Sequence, residues 1–126
     1  MVKLDHLAIT VRDYRASRDW YVRNLGLRVE FEVADRRTVA LQDDGGLTLF
    51  LAERGDGVGP ARTGSVCLTF QVADVDTTYR ELLARGIGFT HAPQKLFWGY
   101  GAELVDLDGY EIRLWDETSM REKGGS

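Results

Sequence analysis

Two stretches decide the fold when one is laid over the other: His6–Phe31, HLAITVRDYRASRDWYVRNLGLRVEF, and Cys67–His91, CLTFQVADVDTTYRELLARGIGFTH, at an offset of 61 residues. In each, an alternating apolar run ends in a valine, Val11 or Val72, and an aspartate follows two positions later, Asp13 or Asp74. A helix-patterned segment comes next, then a glycine turn and a further extended run. Self-similarity across half a chain is the mark of a duplicated supersecondary unit, here strand, capped helix, strand. Asp13 and Asp74 stand where a side-chain oxygen can accept from the free amides of a first helical turn. Tyr14, Ser17, Tyr21 and Leu25 share one helical face in the first copy, and Val75, Tyr79, Leu82 and Leu83 one face in the second. Gly26 and Gly86 supply a left-handed residue to end each helix.

Working outward, Leu27–Glu32, Arg37–Gln42 and Leu47–Ala52 read as strands of the first copy, the last two joined by the turn Asp43-Asp44-Gly45-Gly46. Gly88–His91, Gly101–Val105 and Tyr110–Trp115 read as strands of the second, with the turn Asp106-Leu107-Asp108-Gly109. Each copy is thus a βαβββ module, and the expected fold class is α+β. Module one spans residues 3–53, a linker 54–64, and module two 65–117, the whole forming one domain over 1–118 with a polar tail at 118–126. Gly55, Gly57 and Gly59 superficially resemble a phosphate loop, but no strand leads straight into them and Pro60 follows, so they read as a connector. The closing Gly124-Gly125-Ser126 reads as a flexible end.

Composition narrows the functions. With 126 residues and 44% hydrophobic side chains, the chain has enough for one core and too little for two ordinary independent domains. Twenty acidic against 16 basic residues give a net charge of −4, which favours neither a nucleic-acid backbone nor an anionic membrane. No apolar run reaches the roughly 18 residues of a membrane span, and MVKLDHLAITV lacks a cleavable-signal layout, so a cytoplasmic location is expected. One cysteine, Cys67, and two histidines are few ligands for a zinc or iron site.

A four-stranded sheet with one helix on one face leaves its other face to be covered, and two such modules can close a shared cavity. Alternation assigns Leu7, Ile9 and Val11 to the helix side and His6, Ala8 and Thr10 to the opposite side. In the matching strand Leu68, Phe70 and Val72 pack, while Cys67, Thr69 and Gln71 face the other way. The closing strands give Thr48, Phe50 and Ala52 to the lining from module one, and Glu111, Arg113 and Trp115 from module two.

The segments HLAITVRD, DWYVRNLGL, CLTFQVADV and WGYGAELVDLDGYEIRLWD resemble the vicinal oxygen chelate superfamily of glyoxalase I, extradiol dioxygenases, fosfomycin-resistance enzymes and bleomycin-resistance proteins. The resemblance covers about residues 3 to 117. It implies two tandem βαβββ modules forming a curved mixed sheet around a ligand cavity, in a chain that assembles as a homodimer. It also implies where a metal would be held, because enzymatic members place a histidine on a module's first strand and a glutamate on its last. His6 matches the first. Cys67 stands in module two's histidine position, Arg113 in its glutamate position, and Phe50 in module one's. A catalytic zinc takes about three protein ligands, and non-haem iron two histidines and a carboxylate. Phe50 cannot ligate and a guanidinium repels a cation, so no metal or other cofactor is expected. A set of His6, Cys67 and Glu111 is the divalent-metal alternative, with Glu111 two residues from the family position. His91 reads as a partly exposed edge-strand histidine rather than a ligand.

Without a metal the lining acts by shape, stacking and hydrogen bonds. His6, Phe50, Cys67, Trp98, Tyr100, Glu111, Arg113 and Trp115 are the candidate ligand-binding residues, with His6 also a candidate base. Arg113 can pair with a carboxylate, phenolate or quinone oxygen, or stack on a ring. Each has a plainer reading: Trp98 and Trp115 as core or dimer-interface filling, Arg113 as the partner of Glu103 or Glu111, Cys67 as a small buried hydrophobe. The function expected is metal-independent binding, sequestering a planar aromatic metabolite or antibiotic as resistance proteins of the superfamily do. Alternatives are a metal-dependent lyase, isomerase or dioxygenase with an altered metal site, or metal-free acid–base chemistry by His6 with Arg113.

Overall fold

The computed structural model describes residues 2–54 and 66–125, so the glycines at 55, 57 and 59 read as a connector lie outside the described residues. The chain divides into two compact units, residues 1–62 and 63–126, each with its own four-stranded sheet. The first contains β1 (His6–Thr10), α1 (Tyr14–Leu25), β2 (Arg28–Val33), β3 (Thr38–Gln42) and β4 (Thr48–Ala52). The second contains β5 (Cys67–Gln71), α2 (Val75–Ala84), β6 (His91–Leu96), β7 (Gly99–Val105) and β8 (Glu111–Trp115), followed by α3 (Glu117–Lys123). Strand orders are β1-β4-β3-β2 and β5-β8-β7-β6, with the first two strands of each order parallel and the other neighbours antiparallel. A βα crossover thus returns the first strand of each module beside its last, and the α+β architecture repeats as expected.

Local chemistry explains where the helices start and stop. Asp13, in extended conformation, accepts from the Arg15 and Ala16 amides at 3.1 Å, and Asp74 accepts from Thr77 at 3.0 Å. Gly26 closes α1 at φ 71°, a left-handed geometry that only glycine adopts without steric cost, and its amide returns to Val22 at 3.2 Å. Gly86, at φ 86°, follows the last turn of α2 in the same way. The buried stripe of α1 is Tyr14, Ser17 and Tyr21, set against Ile9, Val11, Val39, Leu41, Leu49 and Leu51 of the sheet. In α2, Val75 and Leu82 are buried, but Leu83 is 43% exposed. One residue past Leu82 is about 100° around the helix, which turns Leu83 off the stripe.

Two expectations are corrected. The strand placed at Gly88–His91 begins where it was expected to end, running over His91–Leu96 with an irregular register between His91 and Gln94. Pro93 inside it, lacking an N–H, is compatible with this edge position. The polar segment after Asp116 is not simply a tail: Asp116 accepts from Ser119 N at 2.7 Å and starts α3. Met120 then packs on β7, its Sδ accepting from Tyr100 N at 3.4 Å. A side chain at Gly99, where φ is 135°, would bring its Cβ to 2.3 Å from that sulfur.

Candidate functional site

The chemistry-bearing residues of module two lie in one row across its sheet, on the face away from α2. Strand register sets His91 opposite Glu103, Glu103 opposite Arg113, and Arg113 opposite Thr69. Glu103 is buried at the centre of this row. Its Oε1 accepts from Trp98 Nε1–H at 2.7 Å and lies 3.5 Å from Arg113 Nε, while Oε2 lies 3.9 Å from His91 Nε2. A buried carboxylate is tolerated only when charge and hydrogen bonds compensate its lost hydration, and here a guanidinium and an indole N–H do so.

Trp98 and Phe97 form the turn between β6 and β7. The Trp98 indole lies across Gly101, where an added Cβ would meet Trp98 Cη2 at 2.4 Å and Leu114 O at 2.2 Å. Glycine is therefore what lets the indole rest on the strand. The Arg113 guanidinium carbon lies 5.2 Å from the Phe97 ring centroid and 5.4 Å from that of Trp98, within cation–π range of both. Phe97 itself is 89% exposed.

The remaining residues of module two separate. Glu111 and Trp115 share the face of Arg113 by alternation, with Cys67 opposite Glu111 and Gln71 opposite Trp115. Cys67 is exposed rather than a buried hydrophobe, because it starts an edge strand on the face that α2 does not cover. Tyr100 does not join this group. One residue from Gly101, it points to the opposite side, where its hydroxyl meets Asp76 Oδ1 at 3.4 Å and Lys123 Nζ lies 5.0 Å from its ring. Burial, together with the negative charge of Asp76, raises the Tyr100 pKa above the ordinary phenol value.

Module one carries an aromatic cluster on the corresponding face. His6 and Phe50 meet edge to face at 4.7 Å between centroids, and Phe31 meets Phe50 at 5.6 Å. His6 Nδ1 lies 3.0 Å from Asp5 Oδ2 at the surface. Thr48 donates to Glu30 at 2.8 Å on the same sheet. Among the described residues of its unit, His6 thus meets the Phe50 ring and the exposed Asp5 carboxylate.

From the sequence Glu103 reads only as a partner for Arg113, and Phe97 carries no functional reading. The first was discoverable from parity, since Gly101, Glu103 and Val105 alternate with the packed Ala102 and Leu104. Phe97 had no such signal, because a turn residue belongs to no alternating run.

The donor set within each unit does not suit a divalent cation. Module two places a cation, Arg113, at the position where the resemblance implies a glutamate, and its buried carboxylate already faces that cation. Module one places Phe50 there. Among the described residues, no three His, Cys, Asp or Glu side chains gather in a ligating cluster. Also among them, no helix is long and apolar enough to cross a membrane.

Residues 3–114 match the family model of the Glyoxalase/Bleomycin resistance protein/Dioxygenase superfamily. An uncharacterized protein of Shewanella frigidimarina is 30% identical over 129 residues, covering 94% of this chain and 93% of that relative. Among solved structures, a superfamily member from Sphaerobacter thermophilus superposes with a TM-score of 0.76 at 24% identity, covering 93% of this chain and 98% of the other. TnmS3, an antibiotic binding protein from Streptomyces sp. CB03234, gives 0.75 at 24% identity, with 92% and 96% covered. A lactoylglutathione lyase from Agrobacterium tumefaciens gives 0.72 at 16% identity, with 92% and 94% covered. At these identities the structural likenesses speak for the fold. The duplicated βαβββ unit, the strand order of both sheets and the family match agree, and the chain belongs to the glyoxalase/bleomycin resistance protein/dioxygenase superfamily.

Proposed function

We propose that the protein binds a planar aromatic small molecule, a metabolite or antibiotic, and sequesters it without a metal. The observation that carries this reading is Arg113 in the glutamate position, flanked by Phe97 and Trp98 and facing the buried Glu103. Flat apolar surface beside a few placed polar groups is the usual composition of a small-molecule site. The fold shared with an antibiotic binding protein is in keeping with this reading, though it does not choose among the chemistries the fold hosts. The reading includes a cytoplasmic homodimer, whose assembly light scattering of the purified protein would test.

Titrating the protein with a panel of planar aromatic antibiotics in the presence of chelator, while following tryptophan emission, tests binding. Saturable quenching by at least one compound is expected, and none across a broad panel would overturn the reading. Elemental analysis separates the alternative: stoichiometric zinc, nickel, manganese or iron that is lost in His6→Ala would replace it with a metal-dependent lyase, isomerase or dioxygenase.

A further inference from the structure

We infer that Arg113 presents an open guanidinium fork to the carboxylate of an arene whose ring lies on Phe97, and that Glu103 is the positioning residue behind both. This rests on the aromatic-binding reading above and names its ligand class.

The two ends of the Arg113 guanidinium are in different situations. Nε is buried, points to Glu103 Oε1 at 3.5 Å, and does not complete a hydrogen bond. No hydrogen bond joins the terminal Nη groups to a described residue, and the side chain as a whole is 22% exposed. Glu103 therefore fixes the group from behind by charge and leaves its outer edge accessible. A guanidinium edge is planar, always charged and matched in spacing to the two oxygens of a carboxylate, so that ligand group satisfies two donors at once.

The stacking surface stands beside the fork. Phe97 is 89% exposed, and its centroid is 5.2 Å from the guanidinium carbon. The neighbouring Trp98 is tied by its 2.7 Å hydrogen bond to the same Glu103 oxygen that faces Arg113, and is seated on Gly101. One buried carboxylate thus sets both the cation and the turn that carries Phe97. An arene lying on the part of the exposed Phe97 ring that the guanidinium leaves open would bring an in-plane carboxylate toward the fork. A neutral amide of the same shape offers one acceptor and brings two donors toward a cation that has nothing to accept them.

Calorimetric titration of naphthoate and anthroate, each against its own carboxamide, tests this. The carboxylates are expected to bind about tenfold tighter or more, the scale of a charge-assisted bidentate pair over a neutral one. In Arg113→Met that ratio should fall to one or below, since Glu103 then stands uncompensated behind the site, while the carboxamides move by less than about threefold, and Arg113→Lys, which keeps charge without the fork, should retain only part of it. Phe97→Ala, at an exposed turn, should weaken both members of each pair by a similar factor. Equal affinity of acid and amide in the unaltered protein, or a preference that survives Arg113→Met, overturns this inference and leaves aromatic binding standing. Failure of every acid and every amide to bind counts against the aromatic-binding reading itself.

Discussion

Asp116 accepts the amide hydrogen of Val75, the first residue of α2, at 2.7 Å across 41 positions of sequence. Its other oxygen accepts from Ser119 at 2.7 Å, so one buried carboxylate caps the starts of two helices. Module one repeats half of this device: Glu53, just past β4 as Asp116 is just past β8, accepts from the Tyr14 amide at the start of α1 at 2.9 Å. The duplication therefore extends beyond strand order to the way each closing strand is locked to its module's helix. In both cases a negative group meets the positive end of a helix.

Asp116→Asn should destabilise the protein by about 1–3 kcal/mol near neutral pH, because the amide keeps one acceptor and turns a donor toward an N–H. Burial raises the Asp116 pKa, but the Ser119 and Val75 amides, the Ser119 hydroxyl and Lys123 outweigh it, leaving the pKa below the ordinary carboxylate value. A depressed carboxylate contributes stability that is full above its unfolded pKa of about 4 and is lost as pH falls through the folded value. Urea unfolding from pH 7 to pH 2 should therefore show wild type losing its advantage over Asp116→Asn below about pH 4. An unchanged difference across that range would contradict the capping role.

Glu53→Gln should act in the same direction in module one. The Arg37 hydrogen bond is the main force lowering the Glu53 pKa, opposed by partial burial and assisted by the Tyr14 amide. The expected loss is about 1 kcal/mol, the usual scale of a helix cap. Arg37→Ala should cost less than Glu53→Ala, since the largely exposed Arg37 supplies the ion pair and a 5.8 Å approach to the Tyr14 ring, whereas Glu53 also satisfies the amide of the buried Tyr14. Denaturation of both variants and their double variant measures the order, and a larger loss for Arg37→Ala would reverse it.

The pattern of what the sequence disclosed follows from which features are periodic. Asp13, Asp74, Gly26 and Gly86 were legible because capping chemistry restricts residue types at fixed distances from an apolar stripe. That His6 shares a face with Thr48, and Arg113 with Thr69, follows from a period of two once the strands are placed, whereas their register does not. The start of β6 was not legible, because Pro93 and the irregular register after His91 break its alternation. Nor was α3: its residues are polar, and its anchor is Met120 against the backbone of Gly99 and Tyr100, a contact that leaves no trace in hydrophobic spacing. Tyr100 was drawn to the ligand face by its residue type, although the same alternation that places Gly101 and Glu103 there places Tyr100 behind them.

Gly101→Ala should be disproportionately costly for a single methyl group. Its Cβ would come to 2.2 Å from Leu114 O, which is backbone and cannot rotate away, and to 2.4 Å from the Trp98 ring. Overpacking of this kind costs about 1–3 kcal/mol. Displacement of the indole should also shift tryptophan emission to the red and weaken arene binding. Unaltered stability and emission in Gly101→Ala would show that Trp98 does not rest on the strand.

Trp98→Phe separates the ring from its N–H. A phenyl group can still lie across Gly101, but Glu103 Oε1 loses its 2.7 Å donor and keeps only the looser approach of Arg113 Nε at 3.5 Å. Two responses are open to the carboxylate: Arg113 closes on it, or it remains under-solvated at a cost of about 1–3 kcal/mol. The first would draw the guanidinium away from Phe97 and blunt discrimination between arene carboxylates and carboxamides while stability holds. The second would lower stability and leave the discrimination near its original ratio. Measuring the denaturation midpoint and the acid-to-amide ratio on the same variant distinguishes these outcomes. A variant unchanged in both would show that Glu103 does not hold Trp98 and Arg113 in a common arrangement.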